Sequence, residues 1–140
     1  MAKFVLKDAM VVINAVDLSD HVSAVSVETT RPEVEVTSMG DDFQSFIAGI
    51  GTADITVTFF NDFAAGEVYA TLWPLSTTDT PFVVAIRPTT AAISATNPEF
   101  QMTSLMFGFS PLSGDIGSAA TTEVTFKNAA QTGLVADVTP

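Results

Sequence analysis

The sequence predicts a mainly β protein: a two-sheet β-sandwich or barrel of about seven or eight strands, with one flanking α-helix and one long loop. Segments in which apolar and polar residues alternate recur along the chain, as in strands that bury one face. Only one stretch has apolar residues at helical spacing. Of the 140 residues, 47% are hydrophobic and 15% are charged, which indicates an ordered chain with one core and a single domain over residues 1–140.

The first predicted strands are short. Residues 10–13 and 16–18 are apolar runs on either side of Asn14-Ala15. Asn and a small residue between two apolar runs are typical of a turn. We therefore expect two short strands joined at this dipeptide.

Two longer strands are predicted over residues 21–37. Val22 falls out of phase with the valines that follow it, which indicates a bulge near Ser23. The dipeptide Arg31-Pro32 marks a turn or bend, after which the alternation resumes. One face of this pair is apolar and the other is polar, and the acidic residues on the polar face are Glu28, Glu33 and Glu35.

A loop follows over residues 38–52, punctuated by glycines. About fifteen residues without a clear period are unusual in a compact domain and typical of a binding loop. The loop also carries several large apolar side chains, which a solvated loop does not need. These side chains are Met39, Phe43, Phe46, Ile47 and Ile50.

Residues 53–60 form the clearest strand, with Ile55, Val57 and Phe59 on one face. The next element is a helix, which we expect to begin at Asn61-Asp62 because Asx side chains accept hydrogen bonds from the amides of a first turn. Its apolar positions and its expected end are Val68, Leu72, Leu75 and Pro74.

Four further strands complete the prediction, over residues 82–87, 101–109, 121–126 and 134–138. In the second of them, Leu105, Phe107 and Phe109 share one face, opposite Ser104, Met106 and Gly108. Residues 89–98 are small and polar and are predicted to be a loop.

The charge balance excludes several functions. Sixteen acidic residues and five basic ones leave a net charge of −11, so tight nucleic-acid binding through a basic patch is excluded. An acidic surface repels phosphates and suits a protein past which nucleic acid slides. The absence of cysteine excludes disulfides and thiolate chemistry. No apolar run approaches the length of a membrane span, so we expect no membrane partner and a protein made in the cytoplasm.

No catalytic, metal or cofactor site is predicted. His21 has no nucleophile motif near it, and the cluster of Asp17, Asp20 and His21 has no metal-site spacing and is interpreted as a turn. Asp41 and Asp42 are adjacent acids beside a glycine, and such pairs are turn residues more often than paired carboxylates for acid–base chemistry.

Three segments carry a resemblance to a known family. They are TSMGDDFQSFIAGIGTADITVTFFND from residue 37, the earlier VDLSDHVSAVSVE, and the later AIRPTTAAISATNPEF. Together they resemble tail tube (major tail) proteins of long-tailed bacteriophages over roughly residues 10 to 126. The departure from that family is the lack of a long charged hairpin and of an added C-terminal domain.

The resemblance implies a structural virion protein with no enzymatic activity. Its copies would form hexameric rings that stack into a hollow tube through which DNA passes, with the tape measure, terminator and baseplate proteins as partners. Residues 38–52, including Asp41 and Asp42, would then be an inter-subunit loop reaching a neighbouring ring, and Glu28, Glu33 and Glu35 would face the lumen. The protein would be located in the phage tail and assembled in the host bacterial cytoplasm.

A second function shares the same composition. The chain could be a binding module, such as a tail terminator, a baseplate adaptor or a head-decoration protein. The loop distinguishes the two, because an adaptor buries it against a different protein and a tube subunit against another copy of itself.

Overall fold

The computed structural model describes residues 3–139, which contain ten strands, one α-helix and a short 3-10 turn, Ser19–His21. The strands are β1 (Met10–Ile13), β2 (Val16–Asp17), β3 (Val22–Thr30), β4 (Glu33–Glu35), β5 (Phe46–Ala48), β6 (Thr52–Phe60), β7 (Phe82–Arg87), β8 (Glu99–Met106), β9 (Thr121–Asn128) and β10 (Leu134–Asp137), and the helix is α1 (Val68–Ser76). The predicted mainly β class, with two sheets and one flanking helix, is confirmed. β5 is the strand that the sequence does not indicate.

Eight strands form the main sheet. Their order is β2-β1-β7-β8-β9-β6-β3, with β10 also pairing β8, and all neighbours are antiparallel. β4 and β5 form a separate two-stranded sheet. The turn predicted between the first two strands is present, with Asn14 and Ala15 at φ of 49° and 67°. Positive φ at both central residues matches the twist of a tight hairpin.

One hydrophobic core joins the strands to the helix. The alternation predicted for β6 is confirmed, since Ile55, Val57 and Phe59 are fully buried. The same cluster contains residues of β1, near the opposite end of the sheet, and of α1. Because strands far apart in the sheet share one core, the sheet must bend around it, and α1 packs against the same core.

The helix differs from its prediction at both ends. It begins at Val68 rather than after Asn61-Asp62, because the Asp62 carboxylate accepts a hydrogen bond from the Ala64 amide (2.9 Å) in an isolated turn. It also continues through Pro74 to Ser76. The predicted apolar face is confirmed, because Val68, Leu72 and Leu75 are its buried residues.

Strand β8 begins and ends earlier than predicted, and it buries the face opposite Leu105. It ends at Met106, and its buried side chains are Met102, Ser104 and Met106, whereas Phe107 is 76% exposed. The Ser104 hydroxyl donates to the Phe82 carbonyl (3.4 Å), so this buried polar group is satisfied. Flexible methionines fill the core here, and the larger aromatic side chain lies outside it.

Strands β3 and β4 do not pair with each other, contrary to the paired strands expected at residues 21–37. β3 pairs β6 and β4 pairs β5, so the chain does not reverse at Arg31-Pro32. Proline has no amide hydrogen to donate to a ladder, and it interrupts the strand without turning it. The bulge expected near Ser23 is confirmed by the register shift between Val22 and Ala24.

The position of Phe59 in the core predicts how a substitution there changes the free energy of unfolding. Phe59→Ala should lower the free energy of unfolding by about 3–5 kcal/mol, because it leaves a cavity at a fully buried position. Thr58→Ala, on the polar face of the same strand, is the matched control and should change it by less than about 0.5 kcal/mol. Urea unfolding followed by tryptophan fluorescence measures both, and equal losses in the two variants would contradict the assigned faces.

Candidate functional site: a protruding hairpin arm

Residues 31–51 form a hairpin that continues the β3–β6 pair beyond the main sheet, and we call it the arm. Its two strands, β4 and β5, are tied by main-chain hydrogen bonds at both ends. The Gly49 amide donates to the Pro32 carbonyl (2.8 Å), and the Val36 amide donates to the Ser45 carbonyl (2.9 Å). The predicted loop over residues 38–52 is therefore half of a short hairpin.

The two strands of the arm approach each other closely at its base. A Cβ atom on Gly49 would lie 2.7 Å from Pro32 Cγ and 3.3 Å from Val34 Cγ2. On Gly51 it would lie 3.3 Å from Arg31 Cγ. Glycine at residue 49 thus allows the arm to pack against Pro32, which a side chain would prevent.

The tip of the arm, residues 37–45, is held by local hydrogen bonds. The Ser38 amide donates to the Asp41 carboxylate (2.7 Å), and the Ser45 amide donates to the Thr37 hydroxyl (2.9 Å). Gly40 adopts a φ of 95°, which favours glycine. Asp41 is therefore a turn residue, as its sequence context indicates.

The large apolar residues predicted in the loop are each more than half exposed in the structure of residues 3–139. The exposed fractions are 85% for Phe43, 51% for Phe46 and 90% for Ile50. Met39 and Ile47 are also exposed. Phe46 and Ile47 point to opposite faces of β5, so both faces of the arm present apolar surface to solvent. Contiguous exposed apolar surface marks an interaction site.

The acids expected on one face lie on two different sheets. Glu33 and Glu35 lie on β4 in the arm, opposite Ala48 and Phe46. Glu28 lies on β3 in the main sheet, opposite Asp54 of β6. The sequence placed them together because it could not reveal that two different partners pair with β3 and β4.

A polar face of the main sheet surrounds Glu28. The register places Glu28 beside Asp54 and Lys127, and the Lys127 ammonium lies 3.3 Å from the Asp54 carboxylate. The neighbouring rows of this face hold hydroxyl side chains and one further acid. They are Ser26, Thr56, Thr125, Thr58 and Glu123.

His21 lies in an ion-pair cluster between β3 and the segment before α1. Its Nδ1 is 2.8 Å from Asp20 Oδ1, and its Nε2 is 2.9 Å from Asp62 Oδ2 and 3.4 Å from Glu67 Oε2. The hydrogen bond to Asp62 raises the pKa of His21 above 6.5, although partial burial opposes the shift. The Ala64 amide, and then His21 itself, hold the pKa of Asp62 below 3.8.

This cluster links two elements and does not have the geometry of a catalytic triad. Both ring nitrogens of His21 contact carboxylates, so the described residues place no nucleophile against the ring. Asp20, His21 and Glu67 offer one donor atom each within 4.8 Å of one another and are the described residues best placed to hold a cation. Asp17 does not join them, because its carboxylate accepts from the Ser19 amide (2.9 Å) in a turn.

Within residues 3–139, none of the helical segments has both the length and the apolar character needed to cross a membrane.

Comparisons with known proteins identify the fold. No family model matches the chain, and no curated protein sequence matches it. A chain of the virion of a native gene transfer agent particle is 15% identical, with a TM-score of 0.68 over 94% of this chain and 96% of that one. A chain of the PVC sheath–tube complex, from an extracellular contractile injection system, is 13% identical, with a TM-score of 0.70 over 98% and 93%. A chain of the PVC sheath/tube terminator is 10% identical, with a TM-score of 0.75 over 99% of both.

The fold is thus one shared by chains of virus-like tails and contractile injection systems. At this level of identity the matches concern the fold alone. As far as the fold is concerned, these matches confirm the resemblance to tail tube proteins that the sequence shows.

The histidine cluster makes a pH prediction. Because the pKa of folded His21 lies above 6.5, its contribution to stability should be full below about pH 6.5 and should be lost as pH rises through the raised value. The contribution of Asp62 should be lost in acid, as pH falls through its lowered pKa. The stability difference between wild type and His21→Gln should therefore be larger at pH 6 than at pH 9.

Urea midpoints of both proteins across this range measure the difference. His21→Asn is a second variant that keeps a hydrogen-bonding side chain without a charge. A difference that stays constant or grows toward pH 9 would show that the imidazolium contributes nothing.

Proposed function

We propose that this chain is the subunit of a phage tail tube, in which hexameric rings stack into a hollow tube through which DNA passes. It acts as one domain and has a structural role in the virion tail, with no enzymatic activity. The observation that carries the proposal is the arm, which exposes large apolar side chains on a fold shared with chains of tail and injection-system structures. Its partners are other copies of itself and the tape measure, terminator and baseplate proteins. Assembly takes place in the host bacterial cytoplasm.

The arm supplies the contact between rings in this proposal. Met39, Asp41, Asp42, Phe43, Phe46, Ile47 and Ile50 are its contact residues. Full burial of one large apolar side chain contributes about 1.5–3 kcal/mol, and a ring repeats each contact in every subunit. A projecting arm is not self-complementary, so its contact is heterologous and can propagate into an open filament.

Two other exposed apolar segments are suited to contacts within a ring. One is the N-terminal segment, and the other contains the turn between β8 and β9. Their exposed residues are Phe4, Val5 and Leu6, and Phe107, Leu112 and Ile116. A subunit with several separate apolar surfaces can contact both its ring neighbours and the next ring.

The channel wall in this proposal is the polar face of β3, β6 and β9. Porins with about 16–18 strands already leave an aqueous channel, and a ring that contributes several strands per subunit exceeds that number. The only cation of this face among the described residues, Lys127, is paired with Asp54. A wall of hydroxyls and carboxylates offers no unpaired cation for phosphate to bind, so DNA slides past it. Of the three candidate acids, Glu28 lies on this face, whereas Glu33 and Glu35 extend the candidate surface along the arm.

A second function is favoured by one observation. The match to a chain of a sheath/tube terminator structure covers 99% of this chain and 99% of that one. A terminator, baseplate adaptor or head-decoration protein would bury the arm against a different protein. It would form single rings or stay monomeric when purified alone, whereas a tube subunit would polymerise.

The arm makes an assembly prediction. Phe46→Ser should leave the subunit folded, because Phe46 is half exposed within the chain, and it should shorten or abolish tubes. The loss of burial energy at every inter-ring contact is the physical reason. Negative-stain microscopy and pelleting measure tube length and yield.

Phe63→Ser is the matched control, since it removes an exposed phenylalanine that lies outside the arm and outside the two segments suited to contacts within a ring. Circular dichroism should be unchanged in both variants. Tubes of normal length and yield from Phe46→Ser would refute the role of the arm, and so would a wild-type protein that stays monomeric at all salt and protein concentrations.

The polar face makes a prediction for DNA passage. Glu28→Lys with Glu123→Lys should still permit tubes, because both side chains are exposed, but should slow or block DNA ejection from infectious particles. The added lysines would hold phosphates through counterion release.

Glu33→Lys with Glu35→Lys is the matched pair on the arm, with the same change of charge. If only the arm pair impairs ejection, the channel wall lies along the arm and not along the sheet. Normal ejection by both double variants, in particles verified to carry them, would leave neither face in the channel.

A further inference from the structure

A groove lies at the base of the arm, where β6 leaves the main sheet and the turn after β9 crosses it. Its volume is about 470 Å³, and its lining includes Arg31, Ile50, Gln131 and Leu134. A groove of this size can hold one or two side chains of another molecule. Its walls combine apolar carbon with one cation.

Arg31 is the charge that distinguishes this groove. The ion pairs between side chains of residues 3–139 involve His21, Arg87 and Lys127, and none involves Arg31. The Arg31 side chain is exposed, and a Cβ atom on Gly51 would lie 3.3 Å from its Cγ, so its stem lies close to Gly51. An exposed guanidinium beside apolar carbon suits a carboxylate that is accompanied by an apolar group.

The tip of the arm has the complementary chemistry. Asp41 is engaged by the Ser38 amide, whereas Asp42 has no side-chain hydrogen bond or ion pair within the described residues. Phe43, which follows it directly, is 85% exposed. The tip therefore presents one available carboxylate next to one uncovered aromatic ring.

We propose that the groove at the arm base of one copy receives the arm tip of a second copy, with Asp42 against Arg31 and Phe43 against the apolar wall. This inference rests on the proposed self-assembly and identifies the surface that the arm contacts. The occupant cannot be the tip of the same arm, because the extended strand between residues 32 and 38 separates tip and base by roughly 20 Å.

Charge favours a second copy docked in this orientation over other orientations. Each subunit carries a net charge of −11, so two copies repel each other over most of their surfaces. Complementary charges at one contact select the orientation in which that repulsion is relieved. Tip and groove are different surfaces of each copy, so a one-way contact leaves one tip and one groove free and can repeat along an axis.

The test is a charge exchange between tip and groove. Arg31→Asp and Asp42→Arg are made separately, together in one chain, and as an equimolar mixture of the two single variants. Asp41 is left unchanged because it holds the tip. Asp79→Arg is the matched control, with the same change of charge as Asp42→Arg at an exposed residue outside the arm, the groove and the exposed apolar segments.

Each single variant should raise the protein concentration needed for tubes by about tenfold or more, because like charges then face each other. The mixture should assemble at the concentration of the control, since every groove then finds a tip of opposite charge on the other variant. The double variant should also recover. Arg31→Gln, which removes the attraction without adding repulsion, should lie between wild type and Arg31→Asp.

Circular dichroism of every variant verifies the fold before assembly is measured. Assembly of Arg31→Asp or Asp42→Arg at the wild-type concentration would overturn this inference while leaving the tube proposal intact. So would the failure of both single variants without recovery in the mixture or in the double variant. Failure of the wild type itself to assemble would overturn the tube proposal, and this inference with it.

Discussion

The antiparallel pairing of β3 with β6 is the interaction on which the rest of the structure depends. In the main sheet, this pair buries Ile55, Val57 and Phe59 on one side and exposes Glu28 and Asp54 on the other. Beyond Thr30 and Thr52 the same two strands continue as the arm. A shift of one residue would exchange the two faces, so the register that forms the core also determines which residues face the solvent. Core, polar face and arm are thus three consequences of one hairpin.

Local contacts hold the connection between sheet and arm. Pro32 interrupts the ladder, and Gly49 lets the returning strand approach it, while the hydrogen bond from the Gly49 amide to the Pro32 carbonyl keeps the strands together. The arm therefore continues from the sheet as a hydrogen-bonded hairpin. Ordering a flexible loop on assembly would cost conformational entropy, and an arm already tied by hydrogen bonds loses less.

Much of the fold follows from the sequence, because alternation reports burial wherever one face of a strand meets the core. Val124 and Phe126 alternate with polar residues and are buried as expected. The pattern misplaces the end of β8, because Leu105, Phe107 and Phe109 continue an alternation past Met106, where the strand ends. It also fails for β5, because neither face of that strand is buried within the chain and no alternation marks it.

The sequence predicts only part of the candidate site, because it does not show which strands pair. Large apolar residues in a segment without period indicate an uncovered surface, and Phe43 and Ile50 are uncovered. Strand pairing depends on residues distant in the chain, so the sequence could not separate Glu28 from Glu33, nor place Arg31 next to the turn after β9. The cluster around His21 was also missed, because Asp62 and Glu67 approach it only once α1 packs on the sheet.

The distribution of charge is consistent with the self-association proposed for such an acidic chain. Repulsion between exposed carboxylates decays over a Debye length of about 8 Å at physiological ionic strength, whereas apolar surface gains free energy only on contact. Arm and core occupy separate parts of the long hairpin, and no arm residue belongs to the hydrophobic core of the described residues. Apolar burial at the arm can therefore be used entirely for contacts between copies, without weakening the subunit.

Cations of the described residues are few, and Arg87 and Lys127 already pair with acids of their own chain. The position of Arg31 beside a groove is consequently informative, because an exposed cation without an ion pair in the described chain is a point at which two negatively charged copies can approach.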